Sequence, residues 1–262
     1  MSDSPLKTWL ERDGQVLRLQ LARPKANIID AEMIGALSAS LTAYAAHKRL
    51  MAVVLDANGP HFSFGASVEE HLPDQCAEML KKINALIMQM IEFPVPIVTA
   101  VQGQCLGGGL EVACAAGMII AAPDAMLGQP EISLAVIAPA ASSLLPERIG
   151  QAQAEMLLLS GKSIDAERAK QIGLVDEVSE SPTEAALAWV DENIIGKSAS
   201  SLRIALKAAR RDYIERVRTE LKIVEKMYLE TLMQTPDPVE GLNAFLEKRD
   251  PVWENASKGD GW

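Results

Sequence analysis

Gly103-Gln104-Cys105-Leu106-Gly107-Gly108-Gly109-Leu110-Glu111 joins two segments of different character. Before it, Pro96-Ile97-Val98-Thr99-Ala100-Val101 is short, apolar and β-branched, which predicts a buried strand. After it, Leu110 to Ala116 is small and helix-tolerant. A strand, a glycine-rich turn and a helix start together aim unpaired backbone N–H groups at one point. Glycines there let another group approach the backbone closely, because no Cβ intervenes. Glu111 falls in the first turn of the expected helix.

Composition narrows what those amides hold. The net charge is −10 with no block of Lys or Arg, which disfavours nucleic acid as a partner. The longest apolar runs fall short of a membrane span. The first residues, Met1-Ser2-Asp3-Ser4-Pro5, have neither the basic nor the apolar part of a signal peptide. Cys76, Cys105 and Cys114 show no paired spacing, so a reduced, cytoplasmic protein is expected.

Strand and helix signals alternate through the first half of the chain. Gln15–Leu21 predicts a strand, and Arg23-Pro24-Lys25-Ala26-Asn27 breaks it. Asp30 can cap a helix running to about Lys48, with Met33, Ile34, Leu37, Leu41 and Tyr44 on one face. Met51–Asp56 predicts a strand buried on both faces. A loop over 61–68 and a helix from about Asp74 to Glu92 follow. Met118–Ala122 is a further strand, Met126–Leu134 is expected to be extended, and Ala138–Ser143 a loop leading into a helix that ends near Gly150. Beyond that, one strand-like piece (Leu174–Val178) interrupts helices, with breaks expected at Gly196-Lys197-Ser198, Asp212-Tyr213 and Pro236-Asp237-Pro238. The reading is α/β with a helical tail, divided into a core over 1–195 and a helical region over 196–262.

Common glycine-turn chemistries do not fit. The turn lacks the G-x-G-x-x-G spacing of a dinucleotide site, and Gly161-Lys162-Ser163 and Gly196-Lys197-Ser198 lack the leading glycine of a P-loop. There is no G-x-S-x-G nucleophile elbow. His47, His61 and His71 form no metal-ligand pattern, and a turn or surface role is expected for His61. An oxyanion hole remains: two N–H donors aimed at one developing negative charge. Gly108 can supply one and Ala66, after Gly65, the other, although glycine turns of this kind are commonly structural. Glu111 reads as a general base or as a dipole-stabilised first-turn carboxylate. Glu131, flanked by Leu127, Ile132 and Leu134, reads as an acid with a raised pKa or as a turn residue.

At these residues the chain resembles the crotonase (enoyl-CoA hydratase/isomerase) superfamily, from Arg23 to Trp253. The matching segments, in the family's order, are Arg23–Asn27, His61–Val68, Gly103–Glu111, Gly128–Glu131, Ile164–Val175 and Ala244–Arg249. The resemblance implies a spiral of ββα units, with a helical C-terminal region that builds homotrimers or homohexamers. It implies an acyl-CoA ligand and no separate cofactor or metal, coenzyme A being part of the substrate. Ala66 and Gly108 become the expected oxyanion donors and Glu111 and Glu131 the expected catalytic carboxylates. Lys25, Ala26, Gly65, Ser67, Val68 and Lys248 become the expected substrate contacts. Both carboxylates together are the hydratase pattern, whereas isomerases commonly keep one.

Two stretches depart from the usual pattern. Ser67 stands where many members have Asp, and Ala135 with Ala138-Pro139-Ala140-Ala141-Ser142-Ser143 replaces a glycine-rich run. These variants resemble hydratases of conjugated cyclic dienoyl-CoA thioesters, so water addition to such a diene is the expected activity. An ordinary hydratase or isomerase of linear acyl-CoAs, and a non-catalytic CoA- or RNA-binding scaffold, are the alternatives.

Overall fold

A computed structural model describes residues 4–254. β1 (Leu6–Glu11) pairs antiparallel with β2 (Val16–Leu21), Leu6 opposite Leu21 and Glu11 opposite Val16. β1 escapes the sequence reading because Lys7, Thr8 and Glu11 dilute its apolar pattern, as an edge strand allows. Asp30 caps α1 (Ala31–Tyr44) as expected, its carboxylate accepting the Met33 N–H at 2.9 Å. The helix stops at Tyr44, short of Lys48, and buries Met33, Ile34, Leu37 and Leu41.

β3 (Ala52–Ala57) lies parallel to β2 and is buried throughout. α2 (Cys76–Ile91) returns the chain to β4 (Ile97–Val101), parallel to β3. β5 (Gln104–Leu106) then leads into α3 (Gly108–Cys114), β6 (Met118–Ala121) and β7 (Met126–Gly128). α4 (Pro139–Ile149), α5 (Gln151–Ser160), β8 (Ile164–Asp165), α6 (Ala166–Gln171) and β9 (Glu177–Val178) follow. The main sheet has the order β1-β2-β3-β4-β6-β9 and a second sheet the order β5-β7-β8. A main-sheet strand, a short extended segment turned away from that sheet and then a helix make one turn of a crotonase-type spiral. β3 with 63–66 and α2, and β4 with β5 and α3, each form such a unit.

α7 (Pro182–Asn193) covers the outer face of the main sheet. The expected division at 195/196 falls in the turn between α7 and α8 (Ala199–Glu230). α8 packs on α2 and α4 and runs through Asp212-Tyr213 without a break, correcting the reading there. Neither residue removes a backbone donor or frees the chain as Pro and Gly do. α9 (Asp237–Glu247) closes over the turn that follows β7.

Two other expectations need correction. Pro130–Leu134 is a tight 3-10 turn and not extended chain. Ala138–Ser143 is not a loop: Ala138 precedes α4, and Pro139 occupies its first turn, where a missing N–H costs nothing.

A buried charge network ties the sheet to α7. Arg18 donates to Asp56 and, at 2.9 Å, to Glu11, and its guanidinium lies 5.0 Å from the centre of the Trp9 ring. Asp56 also accepts from Gln20 at 3.1 Å and from Thr183 on α7 at 3.2 Å. Arg18 is 6% and Asp56 2% exposed. Asp56→Ala therefore leaves the buried guanidinium with Glu11 as its one carboxylate partner and removes the acceptor of Gln20 and Thr183, and is expected to cost about 3 kcal/mol, read by urea denaturation. A loss under about 1 kcal/mol, the scale of a surface pair, would contradict this account.

Candidate active site

Three extended segments lie edge to edge beside the main sheet. The Phe62 N–H donates to Gln102 O and the Ser63 N–H to Gln104 O, both at 2.9 Å, and the Leu106 N–H returns to Ser63 O at 3.0 Å. β5 pairs in parallel with β7, and the Gly107 N–H donates to Gly128 O at 2.9 Å. The ladder brings the ends of all three segments together: Gly65-Ala66, Gly107-Gly108 and Gln129–Glu131.

Gly107 has φ +49°, a region other residues rarely adopt, and a Cβ on it would collide with Glu131 Oε1. A Cβ on Gly109 would meet Ser63 Cβ at 2.5 Å. A Cβ on Gly108 would stand 3.1 Å from Ala66 N, so the two expected donor positions adjoin. Among the described residues neither the Ala66 nor the Gly108 N–H has a backbone acceptor. Gly108 opens α3, where N–H groups have no intrahelical partner.

Glu111 is 6% exposed. Its Oε1 accepts the Ala141 N–H at 2.8 Å, so it points at the N-terminus of α4. Burial pushes its pKa up, and the backbone donors of Ala141 and Ala140 hold back part of that rise. Glu131 lies in the turn after β7. Burial pushes its pKa up as well, and the charge of Glu111 adds to the rise. Two such carboxyls do not ionise together readily, so the pair shares a proton above the ordinary carboxylate range. Gln129 is 1% exposed, and with its amide nitrogen toward Glu131 it donates to both carboxyl oxygens at 2.9 and 3.2 Å.

The carboxyls border two connected spaces. An outer cavity of about 660 Å³ is lined by Gly65, Ala66, Ser67, Val68 and Glu131, and by Gly241, Ala244, Phe245, Leu246, Arg249 and Pro251 on and after α9. An inner chamber of about 20 Å³ is lined by Ala66, Gly108, Glu111, Glu131 and apolar residues of α2 and 137–140. That volume holds about one water. Ala66, His71 and Glu131 line both spaces and form the throat between them.

Seven of the expected site residues therefore converge on these two spaces: Glu111, Glu131, Gly65, Ala66, Gly108, Ser67 and Val68. Ala26 is adjacent, its carbonyl accepting the Phe64 N–H at 2.9 Å. Lys25 is exposed between β2 and α1, Lys248 is exposed at the end of α9, and neither lines the cavity. Arg249 does line it, while paired with Glu240 at 2.6 Å. His61 plays the turn role, its Nδ1 accepting the Gln104 N–H at 3.1 Å. The residues missed from sequence are His71, Gln129 and the amides of Ala140 and Ala141. Pro139, a helix-start residue, was the one signal for those amides. Among the described residues no group of three or more His, Cys, Asp or Glu is arranged to hold a metal ion.

The Enoyl-CoA hydratase/isomerase family model matches residues 11–256. The cyclohexa-1,5-dienecarbonyl-CoA hydratase of Thauera aromatica is 60% identical over 97% of this chain and 98% of that one. A probable enoyl-CoA hydratase of Bacillus subtilis is 32% identical over 92% and 96% of the two chains. The crystal structure of an enoyl-CoA hydratase/isomerase from Pseudoalteromonas atlantica superposes with a TM-score of 0.81 at 29% identity, covering 95% of this chain and 99% of that one. The spiral of strand pairs, the paired carboxyls between two amide-bearing loops and these whole-chain likenesses agree: the chain belongs to the enoyl-CoA hydratase/isomerase family.

Proposed function

We propose that this protein is a hydro-lyase that adds water to a conjugated cyclic dienoyl-CoA thioester. The reading is conversion of cyclohexa-1,5-diene-1-carbonyl-CoA to 6-hydroxycyclohex-1-ene-1-carbonyl-CoA. What carries it is the 60% identity, spread over nearly all of both chains, to the Thauera enzyme named for that diene. The chemistry of the site supports it.

In this reading the thioester oxygen accepts the Ala66 and Gly108 N–H groups, which stabilise charge that grows there during reaction. Water attacks the β carbon of the ring. The electron pair moves through the conjugated system onto the thioester oxygen as a dienolate, which then takes a proton at its far end. One carboxylate accepts the proton of water and the other carboxyl delivers its proton to carbon. The pair holds one shared proton before and after turnover, so no further cofactor is needed to balance the step. Glu111 is the better base, because the Ala141 N–H and the N-terminus of α4 stabilise its charge. Glu131, pushed up further by the charge of Glu111, is the better acid.

The inner chamber is too small for a six-membered ring as it stands. Assembly as a trimer or a pair of trimers belongs to the same reading. Ile204, Ile223 and Met227 of α8 and Met156 and Leu159 of α5 are exposed apolar side chains that support it. A reducing cytoplasm fits Cys76, Cys105 and Cys114, all free and buried.

A mass-spectrometric screen for gain of one water across cyclic and linear enoyl-CoAs tests the function. The cyclic diene is expected to turn over fastest, and crotonyl-CoA turning over as fast or faster would overturn the cyclic assignment. The profile of kcat/KM against pH is expected to be a bell. Activity falls at low pH as the second carboxyl protonates and at high pH as both ionise, with both limbs above 4.5, the ordinary Glu value. Glu111→Gln and Glu131→Gln are each expected to lower kcat by about 10²–10⁴-fold with acyl-CoA binding intact. Near-normal turnover in either variant would sink the assignment. Light scattering at three or six chain masses is expected, and a monodisperse monomer would refute the assembly.

A further inference from the structure

His71 follows the oxyanion loop and closes the short 3-10 turn Glu69–His71. Its Nδ1 lies 2.7 Å from the carbonyl oxygen of Ser67. A carbonyl only accepts, so Nδ1 carries the hydrogen, and in the neutral ring Nε2 keeps a free lone pair. Burial lowers the pKa of His71, which favours that neutral ring. The side chain lines both the outer cavity and the inner chamber, and it shares the throat with Ala66 and Glu131.

The chamber is otherwise poor in acceptors. Met79, Leu80, Ile83, Ile137, Ala138 and Pro139 form most of its wall. A water held there has two O–H bonds to direct. The basic carboxylate takes one. The acidic carboxyl carries a proton for delivery to carbon, so it meets the water mainly as a donor. Apart from the two carboxyl groups, His71 is the side chain lining this chamber that can accept the second O–H.

We propose that His71 orients the attacking water, its Nε2 accepting the O–H that the base does not take, so that the oxygen lone pair faces the ring carbon. Ser67 serves this arrangement through its carbonyl, which fixes the tautomer and the ring plane. The inference rests on the hydratase reading of the same site but concerns any water addition performed there.

Three substitutions separate this role from packing. The Asn amide reaches about as far as Nδ1, and the Gln amide about as far as Nε2. His71→Asn keeps a donor for Ser67 and loses the acceptor at the throat, His71→Gln keeps that acceptor, and His71→Leu keeps neither. Hydration of cyclohexa-1,5-diene-1-carbonyl-CoA is followed at steady state, alongside the Kd of unreactive cyclohexanecarbonyl-CoA and the melting temperature. His71→Leu and His71→Asn are expected to lower kcat by about 10–100-fold while KM and Kd change little, and His71→Gln to recover much of that loss. His71→Asn at wild-type kcat, or a folded His71→Gln as impaired as His71→Asn, would overturn the proposal. Should His71→Leu fail to fold, the Asn and Gln contrast decides alone. A wild-type protein that hydrates only linear enoyl-CoAs overturns the cyclic reading, and the same series on that substrate then tests His71. A wild-type protein that hydrates neither class overturns both.

Discussion

Glu131 touches the main chain at Gly107, and that contact sets the dimensions of the site. A single methyl at position 107 would occupy the place of Glu131 Oε1. The approach is held from both sides. The Gly107 N–H is tied to Gly128 O, and β5 is paired with β7 only a few residues before the carboxyl. The backbone that presents Gly108 and the backbone that presents Glu131 are therefore neighbours in one ladder. Side chains on flexible loops would have to find such proximity anew on each binding event, whereas a hydrogen-bonded ladder has its geometry fixed on folding.

The same closeness has an electrostatic consequence. Glu111 and Glu131 are both withdrawn from water, and the charge of Glu111 adds to the cost of ionising Glu131. A carboxyl whose pKa is raised in the folded state favours folding at low pH, where it is neutral. That contribution is lost as pH rises from the ordinary Glu value of 4.5 through the raised one. The site is thus a local expense in stability at neutral pH, and the fold offsets it elsewhere. Continuous apolar packing on both faces of β3 and β4 provides one offset. Another is the fully partnered Asp56 carboxylate beneath α7. In the proposed hydration, expensive ionisation is what suits the pair to its task, since a shared proton would let one group act as base and the other as acid.

Much of the architecture was readable from periodicity. β3, β4 and β6 are short, mostly apolar runs between turn residues, β2 alternates apolar with polar residues, and α1 has both its capping Asp30 and its apolar face. The failures have physical causes. β1 sits at the sheet edge, where one side of the strand needs no apolar residues. Ala138–Ser143 reads as a loop because its Pro and small residues are also loop-compatible; Pro139 and the two alanines suit a helix start, and α4 packs against α3, α5 and α8. Asp212-Tyr213 carries a modest propensity penalty that the packing of α8 on α2 and α4 overrides.

The sequence by itself determined most of the strand–turn–helix units and the glycine-rich turns between them, and it offered Glu111 and Glu131 as candidates that only the family resemblance made a pair. These are local properties, set by side-chain volume, φ preference and hydrophobic period, and they persist whatever the rest of the chain does. Tertiary structure alone decided which atoms face one another. It aimed Glu111 at the amide of Ala141, thirty residues away, and set Gln129 against Glu131. It turned His71 into the throat and left Lys25 and Lys248 off the cavity wall. Those relations depend on parallel pairing between segments far apart in the chain, and parallel pairing has no signature in either segment taken alone.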